Sequence, residues 1–401
     1  EILFSAIAGS DKTHAENIEK AADVEVLKSS VIYGANGSGK SNFIDAIAFV
    51  KNLVSNSINH QPGQGILQVP HKLEGYERKS NYKIQFVVDG IRYAFGFSLR
   101  NMLVVEEYLY YFPNGRQTKI FERDGEEYSA GRNFRNRFNS CKDVLKPNRL
   151  MLSCAANFSS VDEVTAAYRF FNDELVIYNS GNQENWMNYS LHQINTNEKV
   201  KATVLKFLDA LGTGIKDIYV DIKKEDLDVS HLPPFLSDEF KKILLQEKID
   251  AISAKVLYEG FETDLISEES TGIKKLFGIL CPFIDIIANG KVLVCDELES
   301  NLHESLLFGL VKLFVNTRGS KPAQLIFTTH ETGLLNLDLF RRDQIWFTEN
   351  KSADRSTDLF SLTEIRNVRK DENFGKGYIA GKYGAIPMLN LNFANVISSD
   401  M

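Results

Sequence analysis

The 401-residue chain has little from which to build a disulfide or metal–thiolate framework. Its four cysteines, Cys141, Cys154, Cys281 and Cys295, include no CxxC pair, which points to buried free thiols in a reducing cytoplasm. The seven histidines form no HExxH or comparable group, so the familiar zinc-hydrolase pattern is excluded. No apolar run approaches the length of a membrane span, and no membrane partner is expected. No signal-peptide pattern opens the chain. It begins at Glu1 rather than Met, which leaves the natural start open. Long heptad runs, internal repeats and low-complexity tracts are lacking too. A net charge of -7 lacks the positive excess of a protein that grips nucleic acid by bulk electrostatics, although a local basic groove is compatible with it. At 43% hydrophobic residues the chain can fill sizeable cores, and its length suggests two or three subdomains.

What is present is an α/β pattern at both ends of the chain. Val31 to Tyr33 reads as a short apolar strand. A Gly-rich turn follows, then a helix with Phe43, Ile47, Val50 and Val54 on one face. Between about residues 81 and 128 the pattern turns to β, broken by Asp89-Gly90, Asn114-Gly115 and Asp124-Gly125. These pairs favour the positive φ of tight hairpins, so an antiparallel β-subdomain is expected. Residues 150–259 read as mainly helical, with a stripe of Val200, Val204, Phe207, Leu208 and Leu211 ending at Gly212. His231-Leu232-Pro233-Pro234 reads as a loop. In the last third, Lys291 to Glu297 is a buried strand ending in acids, and Ala323 to His330 is another strand, ending in His330. A helix begins near His303 between them. This alternation predicts a mostly parallel sheet. The expected division is an N-terminal lobe 1–149, a helical insert 150–259 and a C-terminal lobe 260–401.

Gly34-Ala-Asn-Gly-Ser-Gly-Lys-Ser41 fits G-x-x-x-x-G-K-[ST] in full, between a strand and a helix as the motif requires. Its glycines let backbone N–H groups curl around phosphate oxygens, and the helix N-terminus adds the positive end of its dipole. Gly34, Asn36, Gly37, Ser38, Gly39 and Lys40 would form the cradle. Lys40 would reach the β- and γ-phosphates, and Ser41 would ligate Mg²⁺. A chance Gly-rich turn is the bland alternative, and the flanking elements weigh against it. Asp296-Glu297 sits at the carboxyl edge of the predicted sheet, where open α/β folds bind ligands. Asp296 suits a Mg²⁺ contact and Glu297 suits the base that polarises an attacking water. An Asp-Glu pair after a strand is by itself often a solvated turn; the phosphate loop is what favours chemistry. His330 closes its own strand after two threonines and could sense a γ-phosphate, although a lone histidine is more often structural.

Together these positions resemble the ABC-type ATPases, in which ATP is sandwiched between two copies of the protein. Asp296-Glu-Leu-Glu-Ser-Asn-Leu-His303 resembles their acidic strand and D-loop, whose residues, here Ser300 to His303, face the opposite subunit. Glu269-Ser270-Thr271-Gly272 opens an amphipathic helix with Ile273, Leu276, Phe277 and Leu280, and resembles the signature loop. The resemblance implies that Ser270 and Gly272 bind the γ-phosphate held by the partner, and that His330 is the switch histidine. The tail segments Arg341 to Phe347 and Gly377 to Pro387 look more specifically like RloA-type ATPases. These are bacterial proteins commonly encoded beside a nuclease-like partner and implicated in anti-phage defence, and AriA of the PARIS systems is related to them. The resemblance spans nearly the whole chain. It implies a P-loop NTPase fold of ABC-ATPase type, ATP and Mg²⁺ as ligands, hydrolysis to ADP and phosphate, a homodimer or higher oligomer, and a nuclease-like effector. The chain departs from the pattern in places. The signature lacks the glutamine common in transporters and follows the phosphate loop by roughly 230 residues, which counts against a transporter. His303 stands where many ABC proteins have Asp. Gln61, Gln64 and Gln68 all lie in the stretch where a Q-loop glutamine is expected.

Arg132, Arg135, Arg137, Lys142, Lys146 and Arg149 cluster with Phe134 and Phe138. A nucleic-acid or partner surface and an ordinary solvated face are both open readings. Asn350-Lys351-Ser-Ala-Asp354 has one residue too many for a guanine-reading Asn-Lys-x-Asp motif, so ATP is preferred to GTP. Against the defence sensor stand a DNA-repair or chromosome-type ATPase that grips DNA directly, and an ATP-gated scaffold without turnover.

Overall fold

The structure is a computed structural model that describes residues 2–11, 13–226, 248–317, 321–351, 353–369 and 372–386. The predicted loop at His231 to Pro234 and the end of the tail motif at Pro387 lie outside these residues. The chain forms two compact units: residues 1–177, 290–298 and 314–401 make one, and residues 178–289 and 299–313 the other. The expected boundaries after residues 149 and 259 fall elsewhere than these.

In the first unit, a six-stranded sheet runs in the order Thr357–Ser361, Ile345–Asn350, Ser29–Gly34, Gln324–Thr328, Val292–Cys295, Leu175–Tyr178. Ser29–Gly34 lies between Gln324–Thr328 and Ile345–Asn350, parallel to both, and Val292–Cys295 adds parallel to Gln324–Thr328. Only the Thr357–Ser361 edge pairs antiparallel among the pairs with assigned register. Covered on both faces, the central strand carries a continuous buried run, Ser-Ser-Val-Ile-Tyr-Gly, in place of an alternation. The sheet is therefore mostly parallel, as the alternation of elements predicts.

A second sheet is antiparallel throughout, from Ser80–Val88 through Ile91–Arg100, Leu103–Phe112 and Thr118–Asp124 to Glu127–Ala130. Asp89-Gly90 turns with both φ angles positive, and Gly115 and Gly125 also sit at positive φ. One hairpin carries no glycine signal: Asn101-Met102 makes the same kind of turn at φ 53° and 65°. The inner face of this sheet meets the helix Lys40–Asn56 and the helices Met151–Phe158 and Asp162–Arg169 in one apolar core. Phe86 stacks on Phe170 with ring centroids 4.2 Å apart. Glu107 is fully buried there and accepts from the amides of Met151 and Leu152 at the start of their helix, with Arg123 3.5 Å away. Burial pushes its carboxyl up, against the pull of that arginine and those amides.

The second unit holds the helices Gln183–Thr196, Glu198–Ala210, Thr271–Asn289 and Glu304–Asn316. Val204 and Leu208 of the predicted stripe are buried, and Gly212 ends it at φ 69°. The expectation that residues 150–259 are mainly helical needs correcting. Asp217–Asp226 and Lys248–Leu257 form an antiparallel pair, joined by Glu262–Asp264. Ile218, Ala254 and Val256 are buried, so the period-two pattern buries one face. Among the described residues no helix is long and apolar enough to cross a membrane.

Candidate functional site

The phosphate loop leaves the central strand at Gly34 and enters its helix at Lys40. Gly37 and Gly39 have φ of 76° and 109°, values that side chains rarely tolerate. At Gly34 and Gly39 space alone also demands glycine. A Cβ on Gly34 would lie 2.2 Å from Thr348 Oγ1, and one on Gly39 would lie 2.0 Å from Thr357 Oγ1. Gly37 faces open space, and Asn36 and Ser41 are exposed, whereas Ser38 and Lys40 are buried. Lys40 Nζ donates to the carbonyls of Gly34 at 2.8 Å and Ala35 at 3.3 Å.

Asp296 and Glu297 follow strand Val292–Cys295 directly, and His330 follows strand Gln324–Thr328. Because those strands are parallel neighbours, with Cys295 opposite Phe327, their ends place both groups on one edge. Glu297 Oε1 lies 3.9 Å from His330 Nε2, with both side chains open to solvent. Thr328, fully buried, fixes the acidic pair. Its hydroxyl donates to Asp296 Oδ1 at 2.6 Å and accepts the Glu297 amide at 2.8 Å. Glu297 adopts φ 47°, a left-handed conformation that costs on the order of 1–3 kcal/mol for such a residue and tends to mark sites where geometry matters.

The cation site can be tested on donors. Ser41 and Asp45 stand four positions apart on one helix, hence on one face. Burial, and then the charge of Asp296, push the Asp45 carboxyl above its usual range. A hydroxyl and two mutually repelling carboxylates suit Mg²⁺, which keeps waters and phosphate oxygens among its ligands. Among the described residues no group of three or more His, Cys, Asp or Glu could hold a metal unaided. Sequence reasoning missed Asp45, which the four-residue spacing from Ser41 could have flagged, and Thr328, whose partner is visible only across two strands.

The signature-like loop and the D-loop segment belong to the second unit. Ser270 and Thr271 are exposed at the start of helix Thr271–Asn289, and Ser270 Oγ accepts the Ile273 amide at 3.3 Å. A Cβ on Gly272 would meet the Asn301 carbonyl at 2.9 Å, so the signature-like and D-loop segments touch. His303 Nδ1 accepts the Ser305 amide at 3.2 Å and caps the helix Glu304–Asn316.

Other sequence signals resolve into structure. Phe134 and Phe138 are buried, so neither is available to stack on a nucleotide base, although Arg132, Arg135, Lys142 and Lys146 are exposed. Arg149 donates to the carbonyls of His60 and Val144. Of the three glutamines, only Gln68 is buried, and both its amide atoms are without a hydrogen-bond partner. All four cysteines are buried; burial pushes Cys154 to about 12 and Cys281 to about 11.

A comparison with protein families matches residues 29–149 and 188–336 to the family described as "AAA domain, putative AbiEii toxin, Type IV TA system". These stretches make up more than half of the chain, which therefore belongs to that family of ATPase domains. Among solved structures, it is similar to an Smc head bound to the C-terminal winged-helix domain of ScpA, at 14% identity and TM-score 0.44, covering 84% of this chain and 91% of that one. It is also similar to the SMC head domain from Thermotoga maritima, at 17% identity and TM-score 0.39, covering 86% and 95%. A third is the Smc head with extended coiled coil bound to the ScpA C-terminal domain, derived from Pyrococcus furiosus, at 12% identity and TM-score 0.35, covering 86% and 94%. No curated protein matches the chain.

Proposed function

We propose that the chain is a Mg²⁺-dependent ATPase of the ABC head type that dimerises around ATP and regulates a nuclease-like effector in bacterial anti-phage defence. The observation that carries the ATPase reading is the single sheet edge bearing a complete phosphate loop, the Thr328-fixed Asp296 and Glu297, and His330 3.9 Å from Glu297. Backbone amides of the loop and Lys40 hold the phosphates. Ser41 and Asp296 would hold Mg²⁺, with Asp45 on the same helix face as Ser41, and the ion would supply charge neutralisation for the phosphates. Glu297 orients a water and accepts its proton, and His330 donates a hydrogen bond to the γ-phosphate. Ser270 and Gly272 complete the site of a second copy. The effector and the defence role rest on the resemblance of Arg341 to Phe347 and of Gly377 to Pro387 to RloA-type ATPases; no effector motif is visible in the sequence.

The test combines turnover and protection. Purified wild type should release phosphate from Mg-ATP, and Lys40→Ala should not, because Lys40 supplies the only full side-chain charge of the loop. In cells, phage protection should need this chain and its encoded neighbour together. Lys40→Ala turning over at the wild-type rate removes the ATPase reading. Full protection by this chain alone removes the effector. Turnover that rises several-fold on adding DNA, with no neighbour needed, would instead favour the chromosome- or repair-type head.

A further inference from the structure

The segment Asn350 to Asp354 fails as a base-reading motif, yet the structure gives its first residue a definite task. The hairpin of strands Ile345–Asn350 and Thr357–Ser361 runs beside the phosphate loop and holds it at consecutive residues. Asn350 Nδ2 donates to the Gly37 carbonyl at 2.8 Å. Thr357 Oγ1 donates to the Ser38 carbonyl at 3.0 Å. Thr348 Oγ1 lies 2.6 Å from Ser38 Oγ. Gly34 and Gly39 are glycines because Thr348 and Thr357 occupy the space a side chain would need.

We infer that Thr357 and Asn350 are positioning residues that aim the amides of the phosphate loop at the phosphates of a bound nucleotide. The reason is peptide geometry. In a planar trans peptide the C=O and N–H point in opposite directions. Pinning the Ser38 carbonyl to Thr357 therefore turns the Gly39 amide away from the hairpin. Pinning the Gly37 carbonyl to Asn350 fixes the preceding peptide plane, whose Ser38 amide closes the loop on the Ala35 carbonyl at 3.1 Å and so holds the turn from which the Gly39 amide is presented. A Gly-rich loop on its own samples many orientations of these planes, at an entropic cost to binding. The hairpin removes that freedom before the ligand arrives. Thr357 meets the loop at Ser38 and Gly39, so its effect on phosphate recognition passes through those two residues.

This inference rests on the nucleotide-binding reading, and one experiment separates the two. The full chain is titrated with a fluorescent ATP analogue, which is then displaced with inorganic triphosphate. Thr357→Val keeps the shape and removes the donor, and Asn350→Leu removes the donor at similar size without adding a charge beside the phosphates. Thr357→Val should weaken binding of analogue and triphosphate by roughly ten-fold, the effect of leaving a part-buried carbonyl unpaired, and Asn350→Leu, whose bond is exposed, by roughly three-fold. Thr357→Ser keeps the hydroxyl and should bind within about two-fold of wild type. Wild type that binds neither probe overturns the nucleotide reading itself. Wild type that binds while Thr357→Val and Asn350→Leu bind equally well overturns the positioning role. Equal losses in Thr357→Val and Thr357→Ser also overturn it, since side-chain volume and not the donated hydrogen bond would then matter. Should Thr357→Val fail to fold, Asn350→Leu decides alone: a roughly three-fold loss for analogue and triphosphate alike supports the positioning role, and wild-type affinity overturns it.

Discussion

The phosphate loop and the signature-like loop each lead into a long helix through small residues, but they are held in opposite ways. The first is gripped by side chains more than 300 positions away, with Asn350 and Thr357 on its carbonyls and Thr348 on Ser38. The second is held by neighbours in sequence. Glu269 accepts from Tyr258 at 2.9 Å and from Thr263, and Ser270 accepts from Ile273. Ser38 is buried; Ser270 is exposed. A loop fixed by its own fold is ready for a ligand, whereas an exposed loop fixed mainly by nearby residues and by contact with the D-loop segment suits half of a site that a second copy completes.

The largest test of that contrast falls on the fixed edge. Glu297→Gln keeps the shape beside His330 and removes the base, so single-turnover hydrolysis should slow by about a hundred- to ten-thousand-fold with ATP binding retained. Hydrolysis at the wild-type rate would give the base to another group. A smaller effect tests the exposed half. Lys40→Ala and Gly272→Asp each leave a homodimer with two broken sites, but a mixed dimer regains one intact site. Doubly tagged mixed dimers should recover about half the wild-type turnover if the sites act independently. Activity no higher than in either parent counts against sharing, and full activity in the Gly272→Asp homodimer removes the signature assignment. The smallest effect is purely local. Asn197 caps the helix Glu198–Ala210 by accepting the amides of Lys199 and Val200. Asn197→Ala should cost about 1 kcal/mol in denaturant unfolding and leave nucleotide binding unchanged. A change in nucleotide affinity would show that the second unit reaches the phosphate loop.

The same contrast explains how much is legible in the sequence. The phosphate loop, the strands ending at Asp296-Glu297 and at His330, and the amphipathic helices can be read because each signal lies within a few residues: glycine spacing, an apolar run, a helical stripe. Asn350, Thr348, Thr357 and Thr328 cannot, because a Thr or Asn acquires its task from whichever strand the topology places beside it. Asp217–Asp226 carries a strand signal in the alternation of Ile218, Val220 and Ile222, but the helical stripe just before it dominates that stretch. The segment Arg341 to Phe347 supports the family resemblance, yet its polar residues serve architecture. Arg341 pairs with Asp343 and donates to the Thr13 and Gly9 carbonyls, and Gln344 donates to Ser29.

The position of strand Ser29–Gly34 has a consequence for how the protein is made. Both its sheet neighbours, Gln324–Thr328 and Ile345–Asn350, come from the last third of the chain, and Thr348 and Tyr33 are 315 positions apart. During synthesis from the N-terminus this apolar strand emerges well before either neighbour and waits for partners until the residues between Gly34 and Gln324 have left the ribosome. Such high contact order slows folding and leaves an aggregation-prone segment uncovered meanwhile. A chain ending before Thr357 would carry every letter of the phosphate-loop motif without the strand that shapes it. The nucleotide site is thus completed only when residues 345–361 arrive, long after its motif has been translated.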